Sequence, residues 1–292
     1  MIKNFTYYVF FTFCLLVSSK VFALRDIPQD SCFYSLDSAK AHPTKVALLV
    51  LNGKKLTDVP AEVLTFTNLK SLHLTHNQLA TLPAWLADCK SIETLILSNN
   101  NFDTIPRVIT EMVNLKELDF SGNNLSIIPF EINRLGKLEI LVLSDNQIID
   151  MGGAYELYNL KRLLVRSNRV VNIPMGIIKM RKLEEVCFAK NNLEELPEQI
   201  YLLPQINYFS FFNNKIKAIS DKVCNFTNLT YINVLGNELK DLPECLFSLP
   251  KINIINAGAN NYSKETIERL TKLNTRKINV FLEKSQNEDC FH

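Results

Sequence analysis

The chain repeats one pattern of apolar residues at an interval of 23 residues. The clearest copy begins at Leu115 and reads LKELDFSGNNLSIIPFEINRLGK. A repeat of this length is typical of a solenoid, in which each unit stacks on the unit before it. Nine other frames follow the same pattern, with one step of 22 residues after the frame at Leu138. They begin at Val46, Leu69, Ile92, Leu138, Leu160, Leu183, Ile206, Leu229 and Ile252.

Each frame combines a strand-like half with a helix-like half. In the copy at Leu115, Leu118 and Phe120 alternate with polar residues, as the residues of a half-buried strand do. Pro129 and the apolar spacing that follows it favour a turn and a short helical or 3₁₀ stretch. One frame buries too little apolar surface to fold alone. We therefore expect the stacked frames to join their strands into a parallel sheet over a continuous core.

Asparagine occupies the position just after the predicted strand in nine frames, and Lys54 replaces it in the first frame. An amide side chain both donates and accepts hydrogen bonds. A stacked row of amides can therefore pair the backbone groups that lose their partners where the chain turns. We expect this column to be a structural ladder rather than a binding site. Its members are Asn77, Asn100, Asn123, Asn146, Asn168, Asn191, Asn214, Asn237 and Asn260.

Written as LxxLxLxxNxLxxLPxxLxxLxx, the frame resembles the leucine-rich repeat, in its 23-residue class. The resemblance covers about residues 34–282. It implies an α/β solenoid, a horseshoe of about ten repeats with a parallel sheet on its concave side and a cap at each end. It also implies that the concave face binds other proteins. The stretch before the first frame resembles the entry segment of many bacterial members.

The pattern predicts four parts of the chain. They are a signal peptide at 1–23, an N-terminal cap at 24–45, the repeats at 46–259, and a C-terminal cap with helix, strand and frayed tail at 260–292. Ser35 and Ser263 are predicted to cap one short helix in each cap. The short frame at Leu138 carries Gly152 and Gly153 where other frames have proline and a polar residue, which predicts a local kink on the convex side.

The first 23 residues have the composition of a secretory signal peptide. Lys3 precedes an apolar run from Phe5 to Val17, and Val-Phe-Ala offers a cleavage site after Ala23. The run is short for a membrane span, although an uncleaved anchor is the alternative. We expect a secreted or periplasmic protein that begins at Leu24 and does not insert into a membrane.

Charge and motifs exclude several classes of function. The chain has 32 basic and 30 acidic residues. The predicted signal peptide removes two lysines and no acid, so the mature charge is balanced and does not favour a nucleic-acid or anionic-membrane partner. None of GxGxxG, GxxxxGK[ST], GxSxG or HExxH occurs. His73 and His76 lie close together but lack further ligands in their frame, so we expect no metal and no cofactor.

Seven cysteines leave the disulfide connectivity open. A secreted chain permits disulfides, but the sequence does not pair them. Cys89 replaces a core leucine, whereas Cys187 falls on a strand position that points outward. Cys224 and Cys245 lie on the return segments of adjacent frames, two positions out of register. The other three are Cys14 in the predicted signal peptide and Cys32 and Cys290 in the flanks.

Function is expected at the outward strand positions, because the fold does not dictate them. Strands about 4.8 Å apart bring equivalent residues of adjacent frames into contact. The columns contain a charged cluster and, immediately C-terminal to it, an aromatic and aliphatic cluster that is predicted to face solvent. Tyrosine and arginine are common in protein-binding hot spots. The first cluster is Arg162, Arg166 and Glu185; the second is Tyr208, Phe212, Tyr231 and Leu235.

These patterns favour a non-catalytic, protein-binding scaffold that uses its concave face. The alternative is a secreted effector or adhesin that binds a host protein, which a signal peptide would permit. An enzyme with an unrecognised site is a remote third hypothesis. The sequence does not identify the partner.

Overall fold

The computed structural model describes residues 27–274 and 278–282. They form one open sheet of twelve strands, all parallel and arranged in the order of the sequence. The predicted leucine-rich repeat solenoid is confirmed. The predicted signal peptide and the tail from residue 283 lie outside the described residues.

One strand comes from each frame, and each cap adds one more. Neighbouring strands pair in register, so that Ser71 lies beside Thr94 and Thr94 beside Glu117. The strands are β1 (Cys32–Phe33), β2 (Leu48–Val50), β3 (Ser71–His73), β4 (Thr94–Ile96), β5 (Glu117–Asp119), β6 (Ile140–Val142), β7 (Arg162–Leu164), β8 (Glu185–Cys187), β9 (Tyr208–Ser210), β10 (Tyr231–Asn233), β11 (Ile254–Asn256) and β12 (Asn279–Phe281).

The return segments are mostly single 3₁₀ turns that follow the frame's proline. Proline fixes φ near the value that these turns need and has no N–H to leave unpaired. The 3₁₀ segments are Gln29–Ser31, Pro43–Lys45, Ala61–Thr65, Ala84–Asp88, Phe130–Arg134, Gly152–Glu156, Met175–Lys179, Glu198–Leu202, Asp221–Asn225 and Glu244–Ser248. The α-helices are α1 (Leu36–Lys40), α2 (Arg107–Glu111) and α3 (Lys264–Leu273).

The inward residues of the frames form one continuous core between the sheet and the return segments. Leu118, Phe120, Leu125 and Ile132 of the frame at Leu115 are all fully buried. Their counterparts in the neighbouring frames pack against them in the same cluster. Burial of an aliphatic or aromatic side chain contributes about 1.5–3 kcal/mol, so stability is spread over all the frames.

Each ladder asparagine connects its own frame to the frame before it. The Oδ1 of Asn123 accepts from the N–H of Phe102 at 3.1 Å, and its Nδ2 donates to the carbonyls of Leu97 and Phe120 at 3.0 and 2.9 Å. The other eight asparagines make the equivalent three bonds. Eight of the nine are buried, and Asn260 at the end of the row is partly exposed. The amides thus pair backbone groups that would otherwise be buried without partners.

The residue before each ladder asparagine has a left-handed backbone, with φ between 51° and 67°. The sequence gives little sign of this turn, because the position is occupied by histidine, asparagine, glycine, aspartate, serine, lysine and alanine. At Gly236 a β-carbon would collide with Oδ1 of Asn213 in the preceding frame. Glycine adopts this φ without steric cost, and at this position it also leaves room for the Asn213 side chain.

The short frame keeps its ladder. Asn168 accepts from the N–H of Ile148, 20 residues earlier instead of the usual 21. The frame is shorter by one residue in its return segment. There, a β-carbon on Gly153 would collide with the backbone of Phe130. The two glycines thus allow adjacent return segments to pack closely, which is the local adjustment of the convex side that the short frame needs.

The caps close the two ends of the core. Oγ of Ser35 accepts from the N–H of Ser38 at the start of α1, and Oγ of Ser263 accepts from the N–H of Thr266 at the start of α3, as predicted. β1 was not predicted, and it pairs with β2 at the N-terminal edge of the sheet.

Candidate functional site

The predicted binding residues lie on strands β7 to β10 and in the turns that follow them. Sheet pairing places Arg162 beside Glu185, Glu185 beside Tyr208, and Tyr208 beside Tyr231. These four residues therefore form an unbroken column on the outward, concave side of the sheet. The register brings together what the sequence treated as two separate clusters.

Arg162 and Glu185 form an ion pair within this column. The Arg162 Nε lies 2.6 Å from the Glu185 Oε2, and the two side chains are only 19% and 15% exposed. Partial desolvation strengthens the attraction but also makes the loss of either partner costly. The pair is therefore held in one geometry beside the tyrosines.

Tyr208 and Tyr231 stack face to face. Their ring centroids are 4.6 Å apart and the ring planes differ by 2°. Asn233 donates from Nδ2 to the Tyr231 hydroxyl at 3.1 Å, which fixes one end of the stack. Burial raises the pKa of Tyr208, and the neighbouring Tyr231 raises it further. The Tyr208 hydroxyl therefore stays protonated. The half-buried stack presents an ordered aromatic surface with polar ends.

The prediction that Phe212 and Leu235 face solvent is wrong. Phe212 is 0% exposed and Leu235 is 5% exposed. Both belong to a second apolar cluster, separate from the main core, which we call the concave patch. Side chains converge on the inner side of a curved sheet, so outward positions there can bury one another. The concave patch consists of Leu164, Cys187, Ala189, Phe212 and Leu235.

Two cations lie over the Phe212 ring. The Arg166 guanidinium carbon is 5.6 Å and the Lys190 Nζ is 5.8 Å from the ring centroid. Both distances suit a cation–π interaction. Arg166 was predicted to belong to the charged cluster, and the structure places it beside the concave patch.

Glu117 is a feature of the concave face that the sequence analysis missed. It is 7% exposed, and its Oε2 has no hydrogen-bond partner. Burial, reinforced by Asp119 and opposed by Arg162, raises the pKa of Glu117 to about 7. The sequence could have indicated Glu117, because in the column of outward residues only Ile140 separates it from Arg162.

The N-terminal strands present hydroxyl groups instead. Thr75 and Ser98 are joined through their hydroxyls at 3.0 Å, and the Ser71 hydroxyl lies 3.0 Å from His73 Nε2. Burial lowers the pKa of His73 to about 4, so its ring is neutral at physiological pH. Among residues 27–274 and 278–282, no three histidine, cysteine or acidic side chains are grouped so as to hold a metal ion.

The structure supplies the cysteine pairing that the sequence left open. Cys224 and Cys245 form a disulfide between adjacent return segments, with their Cα atoms 5.7 Å apart. Cys32 and Cys89 are free thiols. Cys187, in the concave patch, is also disulfide-bonded.

Comparison with known proteins identifies the family. Two models of the leucine-rich repeat match residues 44–102 and 105–221, together more than half of the chain. The chain is a leucine-rich repeat protein. The members of this family are generally protein-interaction scaffolds without catalytic activity. No curated protein matches the chain.

Solved structures with the same fold come from bacteria and plants. A leucine-rich repeat protein of Leptospira interrogans is 22% identical, with 81% of this chain and 78% of that chain covered and a TM-score of 0.50. The functional domain of InlJ of Listeria monocytogenes is 19% identical over 82% of this chain and 54% of that one, with a TM-score of 0.62. These similarities show the fold.

A plant peptide hormone receptor, RGFR1 in complex with RGF2, is 26% identical with a TM-score of 0.63. The match covers 73% of this leucine-rich repeat protein and 35% of the receptor, so the chain spans about a third of the receptor's length. None of the helices within residues 27–274 is long and apolar enough to cross a membrane.

Proposed function

We propose that this leucine-rich repeat protein is a non-catalytic scaffold that binds another protein or peptide on the C-terminal half of its concave face. The observation that carries the proposal is the column of Arg162, Glu185, Tyr208 and Tyr231. It combines a desolvated ion pair with an ordered aromatic stack. Aromatic and arginine side chains dominate protein-binding hot spots.

The geometry of the stack suits recognition better than catalysis. The protonated Tyr208 hydroxyl and the Tyr231 hydroxyl, which accepts from Asn233, offer polar groups at the edge of an apolar surface. A partner that covers both rings gains from desolvation and loses little side-chain entropy, because the rings are already fixed. The plant receptor was solved in complex with RGF2, and we extend that mode of use to this chain as part of the proposal.

The test is capture of a partner by the full chain and by two matched double variants. Tyr208→Ala with Tyr231→Ala removes the stack, whereas Tyr34→Ala with Tyr158→Ala removes two tyrosines that are 66% and 55% exposed outside the concave column. We expect the first variant to lose about 2 kcal/mol or more of binding free energy, roughly 30-fold in Kd. The second should bind as the unchanged chain does. Equal affinity of the two variants would refute the proposed site.

We further propose that the protein is exported, with cleavage after Ala23. The Cys224–Cys245 disulfide supports an oxidising compartment, since disulfides are rare in reducing ones. N-terminal sequencing of the protein from its native cells should give Leu24. A soluble protein that still begins with Met1 would contradict export by this route.

A further inference from the structure

We propose that Glu117 and Asp119 on β5, which we call the acidic pair, form a recognition site for a lysine or arginine side chain of the partner. This inference rests on the proposed function in one respect, because it takes the concave face as the surface on which the partner lies. It extends that surface by two strands toward the N-terminus and gives the chemical class of the group that binds there.

Glu117 carries a buried oxygen that has no partner. The side chain lies on the concave side of β5 and is 7% exposed, and its Oε2 makes no hydrogen bond. A hydrogen bond with Thr94, on the neighbouring strand, reaches the carboxyl group but leaves Oε2 unpaired. Most buried polar atoms of side chains have at least one partner. An unpaired carboxyl oxygen on the concave face therefore indicates a group whose bonding a ligand completes.

Asp119 places a second carboxyl group on the same face. It follows Glu117 by two residues on one strand, so both side chains point to the concave side. Asp119 is half-buried, and its Oδ1 accepts from the N–H of Ser121 at 2.7 Å. Its charge opposes the ionisation of Glu117. A cation placed between the two carboxyl groups would be attracted by both and would remove this repulsion.

Three basic groups of the chain lie near the acidic pair, and each is neutral or held by another residue. Arg162, two strands toward the C-terminus, is bonded to Glu185 at 2.6 Å. Lys116, which precedes β5, is bonded to Glu93 at 2.7 Å. His73, two strands toward the N-terminus, is neutral because burial lowers its pKa to about 4. The complementary charge is therefore expected from the partner.

The neighbouring strands give the acidic pair aliphatic walls. Sheet pairing places Ile140 beside Glu117, and it places Ile96 and Val142 on the two sides of Asp119. Ile96 and Val142 are only half-buried, so they keep surface for contact with a ligand. Lysine and arginine pack an aliphatic stem on apolar surface and extend a charged head beyond it. That shape suits the site better than a metal ion, for which the described residues offer no third histidine, cysteine or acidic ligand.

The distance from the acidic pair to the tyrosine stack sets the spacing of the partner's groups. Four steps across the sheet separate β5 from β9, where Tyr208 lies. At about 4.8 Å per step, the two sites are about 19 Å apart. An extended segment advances about 3.3 Å per residue. The basic residue should therefore lie about six residues from the side chain that covers the stack.

Occupation of the site should depend on pH. Burial and the charge of Asp119, opposed by Arg162 and by the bond with Thr94, hold the pKa of Glu117 at about 7 in the free chain. A bound cation stabilises the carboxylate and lowers this pKa, so affinity should increase as the pH rises through 7. The ionised fraction of Glu117, and with it the affinity, should rise about tenfold between pH 6 and pH 8.

Selection from a phage-displayed library of random peptides, each about 12 residues long, tests the site without a known partner. The baits at pH 8 are the full chain, Glu117→Gln with Asp119→Asn, and Glu194→Gln with Glu195→Gln. The last variant removes the same charge from two exposed residues outside the sheet. We expect the full chain and this control to select peptides enriched in lysine and arginine, and the acidic-pair variant to show no such enrichment. Absence of the enrichment on the full chain, or equal enrichment on the acidic-pair variant, would overturn the proposal.

Titration calorimetry with a selected peptide that lacks histidine and has an acetylated N-terminus tests the pH dependence. The full chain should bind it about tenfold more tightly at pH 8 than at pH 6, whereas Glu117→Gln should bind it equally at both. At pH 8, norleucine in place of the peptide's basic residue should weaken binding to the full chain at least about tenfold. The same replacement should not affect binding to Glu117→Gln with Asp119→Asn. A pH effect that persists in Glu117→Gln, or an equal norleucine effect on both chains, would contradict the site.

The tyrosine stack is tested separately in the same selection. Tyr208→Ala with Tyr231→Ala should select peptides that keep the basic residue and lose the preference for an apolar or aromatic residue about six positions away. If the tyrosine variant keeps both preferences, the proposed function of the stack is refuted and the acidic pair is not. If the full chain shows only the apolar preference, the acidic pair is refuted and the stack is not.

Discussion

The two halves of the concave face rest on the same frame and differ in what they present. Strands β3 and β4 carry the buried hydroxyl groups of Ser71 and Thr94, and the buried hydroxyl of Ser144 follows strand β6. Strands β7 to β10 carry an ion pair, a tyrosine stack and the concave patch. The ladder and the inward core are alike in both halves. The frame therefore sets where the outward side chains lie, and leaves their chemistry free to differ.

The largest expected effect separates the halves at the outward position two residues after the end of each strand. Phe212→Ala should lower the free energy of unfolding by about 3–5 kcal/mol, as for other buried phenylalanines, because it empties the centre of the concave patch. Ser144→Ala, at the equivalent position three frames earlier, should change it by less than about 1 kcal/mol. Urea denaturation of the two variants measures both. Similar small losses would show that the patch contributes nothing to folding.

The ladder should not distinguish the halves. Asn100→Leu and Asn214→Leu each remove four buried hydrogen-bond contacts. We expect each substitution to lower the free energy of unfolding by about 2–3 kcal/mol, since the remaining backbone groups lose their hydrogen-bond partners. Lys54→Leu should lower the free energy of unfolding much less, because the first frame has no asparagine that bonds to a preceding frame. A large difference between Asn100→Leu and Asn214→Leu in urea denaturation would contradict a uniform frame.

Glu117 should make the stability of the native state depend on pH. Its pKa rises from an ordinary 4.5 to about 7 on folding, so the folded chain holds its proton more tightly. This contribution is fully present below pH 4.5 and is lost as the pH rises through 7. The loss of unfolding free energy should be on the order of 3 kcal/mol. Thermal unfolding from pH 4.5 to 8 should show it in the wild type, and Glu117→Gln should lack it.

The smallest effect concerns the ion pair. A double-mutant cycle on Arg162 and Glu185 should give a coupling energy of about 1 kcal/mol, because both side chains are largely removed from solvent. The same cycle on Lys217 and Glu194, which are 63% and 62% exposed, should give a coupling energy too small to measure, because solvent screens exposed charges. Equal coupling at the two sites would mean that the concave face does not strengthen the attraction between its charged side chains.

The fold could be predicted because its determinants are local and repeated. The inward leucines and the ladder asparagines recur at a fixed spacing, so each copy reinforces the assignment of the others. The left-handed residue before each asparagine could not be predicted from composition. Residues as different as Lys190 and Ala259 adopt this φ, so no residue type marks the position in the sequence.

The candidate site was predicted in part. Column neighbours such as Tyr208 and Tyr231 follow from the frame spacing alone. The burial of Phe212 does not, because it depends on how strongly the stacked strands curve and on long side chains from two other frames. The pairing of Cys224 with Cys245 also escaped prediction, since the conformation of a return segment moves residues out of their nominal register.

The direction of the ladder has a consequence for the order of folding during synthesis. Every asparagine bonds to the frame that was made before it, as Asn123 does with Phe102. A frame on the ribosome therefore keeps unpaired backbone groups until the asparagine about 21 residues downstream has been added. At about 5–20 residues per second, each frame waits about 1–4 s for its partner. Where the frames fold during synthesis, the ladder is therefore completed from the N-terminus, one frame behind the growing end of the chain.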